Sequence, residues 1–367
     1  MRGYALWVPG SPATANFAGI LNNGSSDIQI TLTALGGDAN SGYNLVGNPF
    51  PSALDWDASG WTKYNVDNTI YFWEGVGGIS GDGSYHYYVG ASGGGGPAPV
   101  GLGDATKYIP AMQGFFVHAS GPGAVLKVKN KARVHSDQEY YKQSEGISVP
   151  LIRLQASNSD QETDETVIRF FKGSGPEHDP DYDAFKMYGQ GVPQVYTFTE
   201  GSVKLAVTTL PEFNESMVIP VGFQPDGQGE YSFRLTELSA WSPEVEIYLL
   251  DRQYNIETRL FPDERYSFLS SGMPQDNRFA LKFAIATDEP APVDPMVLIY
   301  SYDKKIIVRT ENPEGIVQVY DMLGREIPAD AQNRHDGFEI NMNTHSGYYV
   351  VRYLDENGIT VQKVFID

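Results

Sequence analysis

Apolar side chains recur at every second position along most of this chain. In Ile28-Gln29-Ile30-Thr31-Leu32-Thr33 the three aliphatic residues take alternate places, which on a pleated strand sets all three on one face. Phe279, Leu281 and Phe283 repeat the pattern around Ala280 and Lys282, as do Val245, Ile247 and Leu249 around Glu246 and Tyr248. No stretch sustains the 3.6-residue period of an amphipathic helix. Gly and Pro punctuate the chain every dozen residues or so. With 23 Tyr and 18 Phe they predict short strands joined by turns, the pattern of β-sandwiches. The expected fold class is all-β, built of tandem β-sandwich domains and a small C-terminal sandwich.

Composition divides the pattern. Residues 287–295 hold three prolines in nine positions. Proline fixes φ and removes a ladder donor, so no strand is expected to cross this segment. A softer break lies at Lys142-Gln143-Ser144-Glu145-Gly146, where a polar stretch follows the strand-like Val125 to Val128. The expected domains are a β-sandwich over 1–145, an acidic β-sandwich over 146–288, a Pro-rich linker over 289–295 and a compact sandwich over 296–367.

Charge and cysteine content narrow the function classes. Of 367 residues, 46 are Asp or Glu and 26 are Lys or Arg, for a net charge of −20. Residues 146–290 carry 11 basic and 23 acidic side chains, a net −12. Nucleic acid is therefore not an expected partner, because phosphate binding needs clustered cations. The absence of Cys removes disulfides, thiolate metal sites and cysteine nucleophiles. No run of about 18 apolar residues offers a membrane-spanning helix.

Several segments carry candidate chemistry. Twelve of the 39 glycines fall between Gly75 and Gly103, a stretch that reads as a long surface loop or a binding loop. Gly90-Ala91-Ser92-Gly93-Gly94 matches a nucleophile elbow in letters alone: no helix follows, and the match reads as chance beside the imidazoles of His86 and His118. No pair of acids can be nominated for glycosidase chemistry, and no catalytic residue is assigned. Asp55, Asp57 and Ser59 with Gly60 have the spacing of the first half of a calcium loop. The twelfth position is Val66 instead of the bidentate Glu, which excludes an EF-hand. These three residues stay as candidate ligands for calcium, the alternative being that they cap turns; no other cofactor is expected. His178-Asp179-Pro180-Asp181-Tyr182-Asp183 reads as a solvated acidic turn first and a calcium site second. Aromatic residues crowd residues 56–116, and Trp61, Trp73, Tyr85 and Tyr87 are candidates for stacking on sugar faces, against the alternative of core packing.

The tail carries the most specific pattern. Val297-Leu298-Ile299-Tyr300, Lys305 to Arg309, Gly315 to Tyr320, Phe338-Glu339-Ile340, Tyr348 to Leu354 and Thr360 to Ile366 read as strands, with Asn357-Gly358 as the two-residue turn of a final hairpin. Within them, Val319-Tyr320-Asp321-Met322-Leu323-Gly324-Arg325, then Gly347-Tyr348-Tyr349-Val350-Val351, then Gln362-Lys363-Val364-Phe365-Ile366 resemble, in order and spacing, the type A C-terminal sorting domain of the type IX (Por) secretion system. That resemblance implies an immunoglobulin-like domain in a surface protein of Bacteroidota-type bacteria. It names Tyr320, Asp321, Gly324, Arg325, Gly347, Tyr348, Val350, Lys363 and Phe365 as the sorting signal. It further implies translocon, shuttle and sortase components as partners, and attachment to anionic lipopolysaccharide after sorting.

Upstream, Gly42-Tyr43-Asn44-Leu45-Val46-Gly47-Asn48-Pro49-Phe50 and Met112-Gln113-Gly114-Phe115-Phe116-Val117 are similar to the non-catalytic β-rich region that precedes such tails. By the same likeness a signal peptide is expected far upstream of Met1, with the first sandwich truncated. The resulting expectation is the C-terminal part of an exported cell-surface protein, outside a Gram-negative cell, that is not an enzyme. Its upstream domains would be structural or adhesive, binding glycans or further copies of the chain. The alternative is a carbohydrate-binding module.

Overall fold

The structure is a computed structural model. It describes residues 1–5, 16, 18–23, 27–34, 41–75, 82–92, 96–134, 148–199, 201–214, 216–241, 245–262, 264–285, 297–302, 304–310, 315–328, 331–334, 337–342, 344–355 and 358–366. Among these the chain is all-β, with a single 3-10 turn at Asn130–Ala132 and no α-helix. It divides into two compact units, Met1–Ala286 and Thr287–Asp367.

A five-stranded sheet organises the start of the first unit. Its strands run in the order Tyr43–Gly47, Gly114–Ala119, Val66–Gly75, Gly83–Val89, Val100–Leu102. Both faces are covered. Val46, Ile70, Tyr88, Phe115 and Val117 pack into one core with Leu54, Leu126 and Val128 of two small three-stranded sheets and with Trp56 in the turn after Ala53–Asp55. Tyr71, Tyr87, Val89 and Leu102 pack into another, against Val167, Ala184 and Val207. That double burial explains why Val66–Gly75 begins with six buried residues in succession where a half-wet strand would alternate.

Val167 and Val207 belong to an eleven-stranded sheet. Its other face closes on itself: Phe233, from the Gln228–Ser239 strand near one end, meets Phe279, from the Gln275–Ile285 strand near the other, with ring centroids 4.9 Å apart. Phe223, Phe268, Leu249 and Leu281 fill the space between. The stretches 1–145 and 146–286, separated in the sequence reading, therefore share a core and one compact unit. The polar break at 142–146 and the Pro-rich segment 287–295 lie outside the described residues.

Thr287–Asp367 is a two-sheet sandwich. One sheet orders Leu298–Tyr302, Lys305–Arg309, Gly337–Asn341 and Ala331–Arg334; the other orders Glu326–Ile327, Ile316–Asp321, Gly347–Asp355 and Gly358–Ile366. Ile306, Val308 and Ile340 of the first face Val319, Val351, Tyr353 and Val364 of the second. The last two strands pair from Gly347↔Ile366 to Asp355↔Gly358, an antiparallel hairpin as expected, but Gly358 is a strand residue opposite Asp355 and not the second residue of an Asn357-Gly358 turn; Asn357 lies outside the described residues.

Candidate functional site

A polar cleft opens where the five-stranded sheet meets the hairpin formed by Leu151–Asn158 and Thr163–Phe170. Its volume is about 430 Å³, and Glu74, Ser84, His86, Asp104, Gln161 and Glu162 line it. The Asp104 backbone N–H donates to Nδ1 of His86 (3.2 Å), and Nε2 of His86 lies 3.1 Å from the Glu74 carboxylate. Nδ1 accepts, so Nε2 carries the proton, and a neutral imidazole meets both contacts. Gly103 makes the close approach possible: its φ is +60°, and a Cβ there would lie 2.6 Å from the imidazole. Glu165 accepts from the Gly103 backbone N–H (2.6 Å) and from Arg153 (2.9 Å), which also donates to the Gly101 carbonyl and so pins the 100–104 loop to the hairpin. Deeper in, a cavity of about 100 Å³ is lined by Tyr85, Tyr87, Gln155, Asp164 and Glu165.

The four stacking candidates divide. Trp73 and Tyr85 are cross-strand partners whose rings meet nearly edge to face at 4.9 Å, and Trp73 is 40 % exposed. Tyr87 is sealed at 1 % exposure and donates its hydroxyl to the Met187 carbonyl, so it has no face for a ligand. Trp61 leans on Trp56 at 4.8 Å and donates from Nε1 to the Asp55 carbonyl, a packing role.

The calcium candidates are occupied otherwise. Asp55 accepts from the Asp57 backbone N–H and pairs with Lys107 at 2.8 Å, and Asp57 accepts from the Ala91 N–H and the Tyr88 hydroxyl. These are turn-capping and strand-tying contacts; Ser59 follows in the same turn. Among the described residues no group of three or more His, Asp or Glu side chains has metal-binding geometry. Ser92 has a buried hydroxyl with no hydrogen-bond partner among the described residues, while His118 is held by the Asp67 carboxylate (2.8 Å) and the Ser41 carbonyl (2.8 Å) and His86 by Glu74 and Asp104. The imidazoles beside that serine in the sequence are thus engaged elsewhere, and Gly93 and Gly94 lie outside the described residues.

The acidic 178–183 segment is a turn with Asp181 exposed, as expected, but its last carboxylate is not solvated. Asp183 is 1 % exposed and accepts from the backbone N–H groups of Asp179 (2.9 Å) and Thr209 (2.6 Å). Burial outweighs those hydrogen bonds and pushes its carboxyl up to about 7. Beside it, Arg169 is 1 % exposed and donates to Thr209 Oγ1 and the carbonyls of Ala98 and Tyr182. Thr69 of the five-stranded sheet donates to the Asp183 carbonyl. One buried polar network thereby ties the two sheets. The sequence reading missed it, although Arg169 stands between Val167-Ile168 and Phe170-Phe171, where a charge inside an apolar run signals a buried partner.

In the second unit the three tail motifs converge. Tyr320, Val350 and Lys363 lie in one cross-strand row, and Tyr348 pairs with Phe365 in the next part of the same sheet. Tyr348 is 53 % exposed, its ring 5.0 Å from that of Phe365, with the Lys363 ammonium 4.5 Å above it. Asp321 caps the turn into Glu326–Ile327: it accepts from the Leu323 and Arg325 backbone N–H groups and pairs with the Arg325 side chain at 2.7 Å. Those hydrogen bonds, the one from the Arg325 backbone first, hold its carboxyl below the ordinary range. Gly324 supplies the positive φ of +81° that closes the turn. Gly347 opens the Gly347–Asp355 strand.

Comparison with known proteins adds little chemistry. A family profile described as "Domain of unknown function (DUF8693)" matches residues 2–283. No curated protein matches. A solved structure titled "Biofilm associated protein - BSP domain" aligns at 10 % identity and a TM-score of 0.19, over 93 % of this chain and 62 % of that one, so the chain spans less than two thirds of its length.

Proposed function

The chain belongs to the DUF8693 family of domains of unknown function, and because that membership carries no activity we propose a role from the chain's own features. Met1–Ala286 is a structural or adhesive module of an exported cell-surface protein, and Thr287–Asp367 is its type IX sorting signal. One observation carries the reading: three sequence motifs, spread over residues 320–365, occupy neighbouring strands of one sheet, and the second and third compose an exposed aromatic and cationic patch from Tyr348, Lys363 and Phe365. Such a patch exists only in the folded unit, as recognition of a shape requires. The family match also ends at residue 283, before this unit begins. In a type IX-competent host, Tyr348→Ala with Lys363→Glu is expected to leave the protein folded by circular dichroism and held in the periplasm. Undiminished delivery to the cell surface by that variant overturns the reading.

The Trp73 and Tyr85 pair favours a second reading, a carbohydrate-binding cleft. Trp73 offers an exposed aromatic face, and its partner Tyr85 lines the small cavity with Gln155 and Glu165, the mix of ring, amide and carboxylate that sugars require. Binding on a glycan array is then expected to vanish with Trp73→Ala and to survive Trp61→Ala. An array with no signal for the unaltered chain rejects this reading.

A further inference from the structure

Lys186 and Asp164 form a deeply buried ion pair of the first unit. Their side chains are 0 % and 5 % exposed, and the Lys186 ammonium nitrogen contacts Oδ2 of Asp164 directly. The backbone holds both in place. Asp164 sits in the Thr163–Phe170 strand opposite Ala156, and the Lys186 N–H donates to the Lys204 carbonyl. The same Oδ2 accepts from the Val195 backbone N–H at 2.7 Å. On the lysine side the Tyr87 ring lies 5.7 Å away.

An ammonium has three donors. Among the described residues, Asp164 is the one hydrogen-bond acceptor that Lys186 reaches. A charged amine sealed in this way leaves donors unmet, which is costly without water. Neutral forms relieve that cost. Burial pushes the Asp164 carboxyl up and the Lys186 amine down, both towards the uncharged state.

A desolvated neutral amine touching a neutral carboxyl is a nucleophile beside its electrophile. We propose that Lys186 and Asp164 condense within the folded chain into an intramolecular isopeptide bond. The ammonium first passes one proton to the carboxylate across their hydrogen bond. The amine lone pair attacks Cγ of Asp164, forming the Nζ–Cγ bond, and the carbonyl electron pair moves onto Oδ1, while Oδ2, which took the proton and stays in reach of the Val195 N–H, is the hydroxyl. As the carbonyl reforms, the Cγ–OH bond breaks and the hydroxyl leaves with a proton from nitrogen. The products are one amide and one water, with no change of oxidation state. The cavity of about 100 Å³ that Asp164 and Tyr87 line receives the water. In a chain without Cys, the bond ties the Thr163–Phe170 strand to the segment after Ala184–Phe185 in place of a disulfide.

Intact mass spectrometry of the whole denatured protein tests this. The expected mass is that of the sequence less one water. A tryptic digest is expected to yield residues 154–169 joined to residues 173–204, with no cleavage after Lys186. Lys186→Met and Asp164→Ala are each expected to restore the full sequence mass of the variant. A wild-type protein at its full sequence mass overturns the proposal. So does a missing water that persists in Lys186→Met or maps to other peptides.

Discussion

The two units solve the same problem, covering a β-sheet, in opposite ways. In Met1–Ala286 the five-stranded sheet is packed on both faces, and Asp67, Asp164, Arg169, Asp183, Lys186, Asp251 and Arg278 are all buried. In Thr287–Asp367 each sheet keeps one wet face, and Thr310 is the one buried polar side chain among the described residues. A doubly covered sheet gives each charged residue no water side, so each must find a partner in the interior. A plain sandwich sends its charges outward, where they are free to form a recognition surface.

The sharpest way to break that contrast is to orphan a buried charge. Asp251 takes three hydrogen bonds from the Arg278 guanidinium and one from the Tyr266 hydroxyl, with both charged partners sealed. Asp251→Ala is expected to cost about 3–5 kcal/mol in urea unfolding, the penalty of a buried unpaired cation. In the second unit the comparable loss comes from the apolar core. Ile340, 0 % exposed between the two sheets, is expected to cost about 2–5 kcal/mol as Ile340→Ala, read in the unfolding of that unit alone.

A pH titration sharpens the comparison further. Lys63 donates to Asn68 Oδ1 at 2.6 Å and lies over the Trp56 ring at 3.8 Å. Burial lowers its amine from 10.5 to about 7. Between those values the unfolded chain holds a proton that the folded chain does not, so this group makes stability rise with pH across that window. Lys63→Met is expected to flatten the rise; an unchanged slope would place the ammonium in water. The smallest effect belongs to the second unit's exterior. Arg334 is 55 % exposed and pairs with Glu339 at 3.0 Å, and Arg334→Ala is expected to shift stability by about 0–1 kcal/mol, less in high salt.

The same contrast explains what could be read from the residues alone. In the tail, alternation marks the inward Val319, Val351 and Val364 and the outward Tyr348, Lys363 and Phe365, because one face of each strand is wet. The Asp321, Gly324 and Arg325 turn is equally legible, since its chemistry is local. In the first unit, Phe72 and Trp73 are successive on one strand and point apart: Phe72 packs into the Trp56 core and Trp73 meets Tyr85 on the opposite face. That the opposite face is also covered was hidden. It depends on contacts such as Thr69 to Asp183 and Tyr87 to Met187, a hundred or more residues apart, which no local period reports. For the same reason Tyr87 looked available for a ligand and Asp183 looked solvated.

The proposed division of labour rests on the second unit being a self-sufficient address. A reporter with a signal peptide, fused to residues 287–367 and expressed in a type IX-competent host, tests this most directly. The fusion is expected on the cell surface or in the medium, and in the periplasm when it carries Ile340→Ala or when the translocon is deleted. Retention of the intact fusion in the periplasm of the competent host would contradict it.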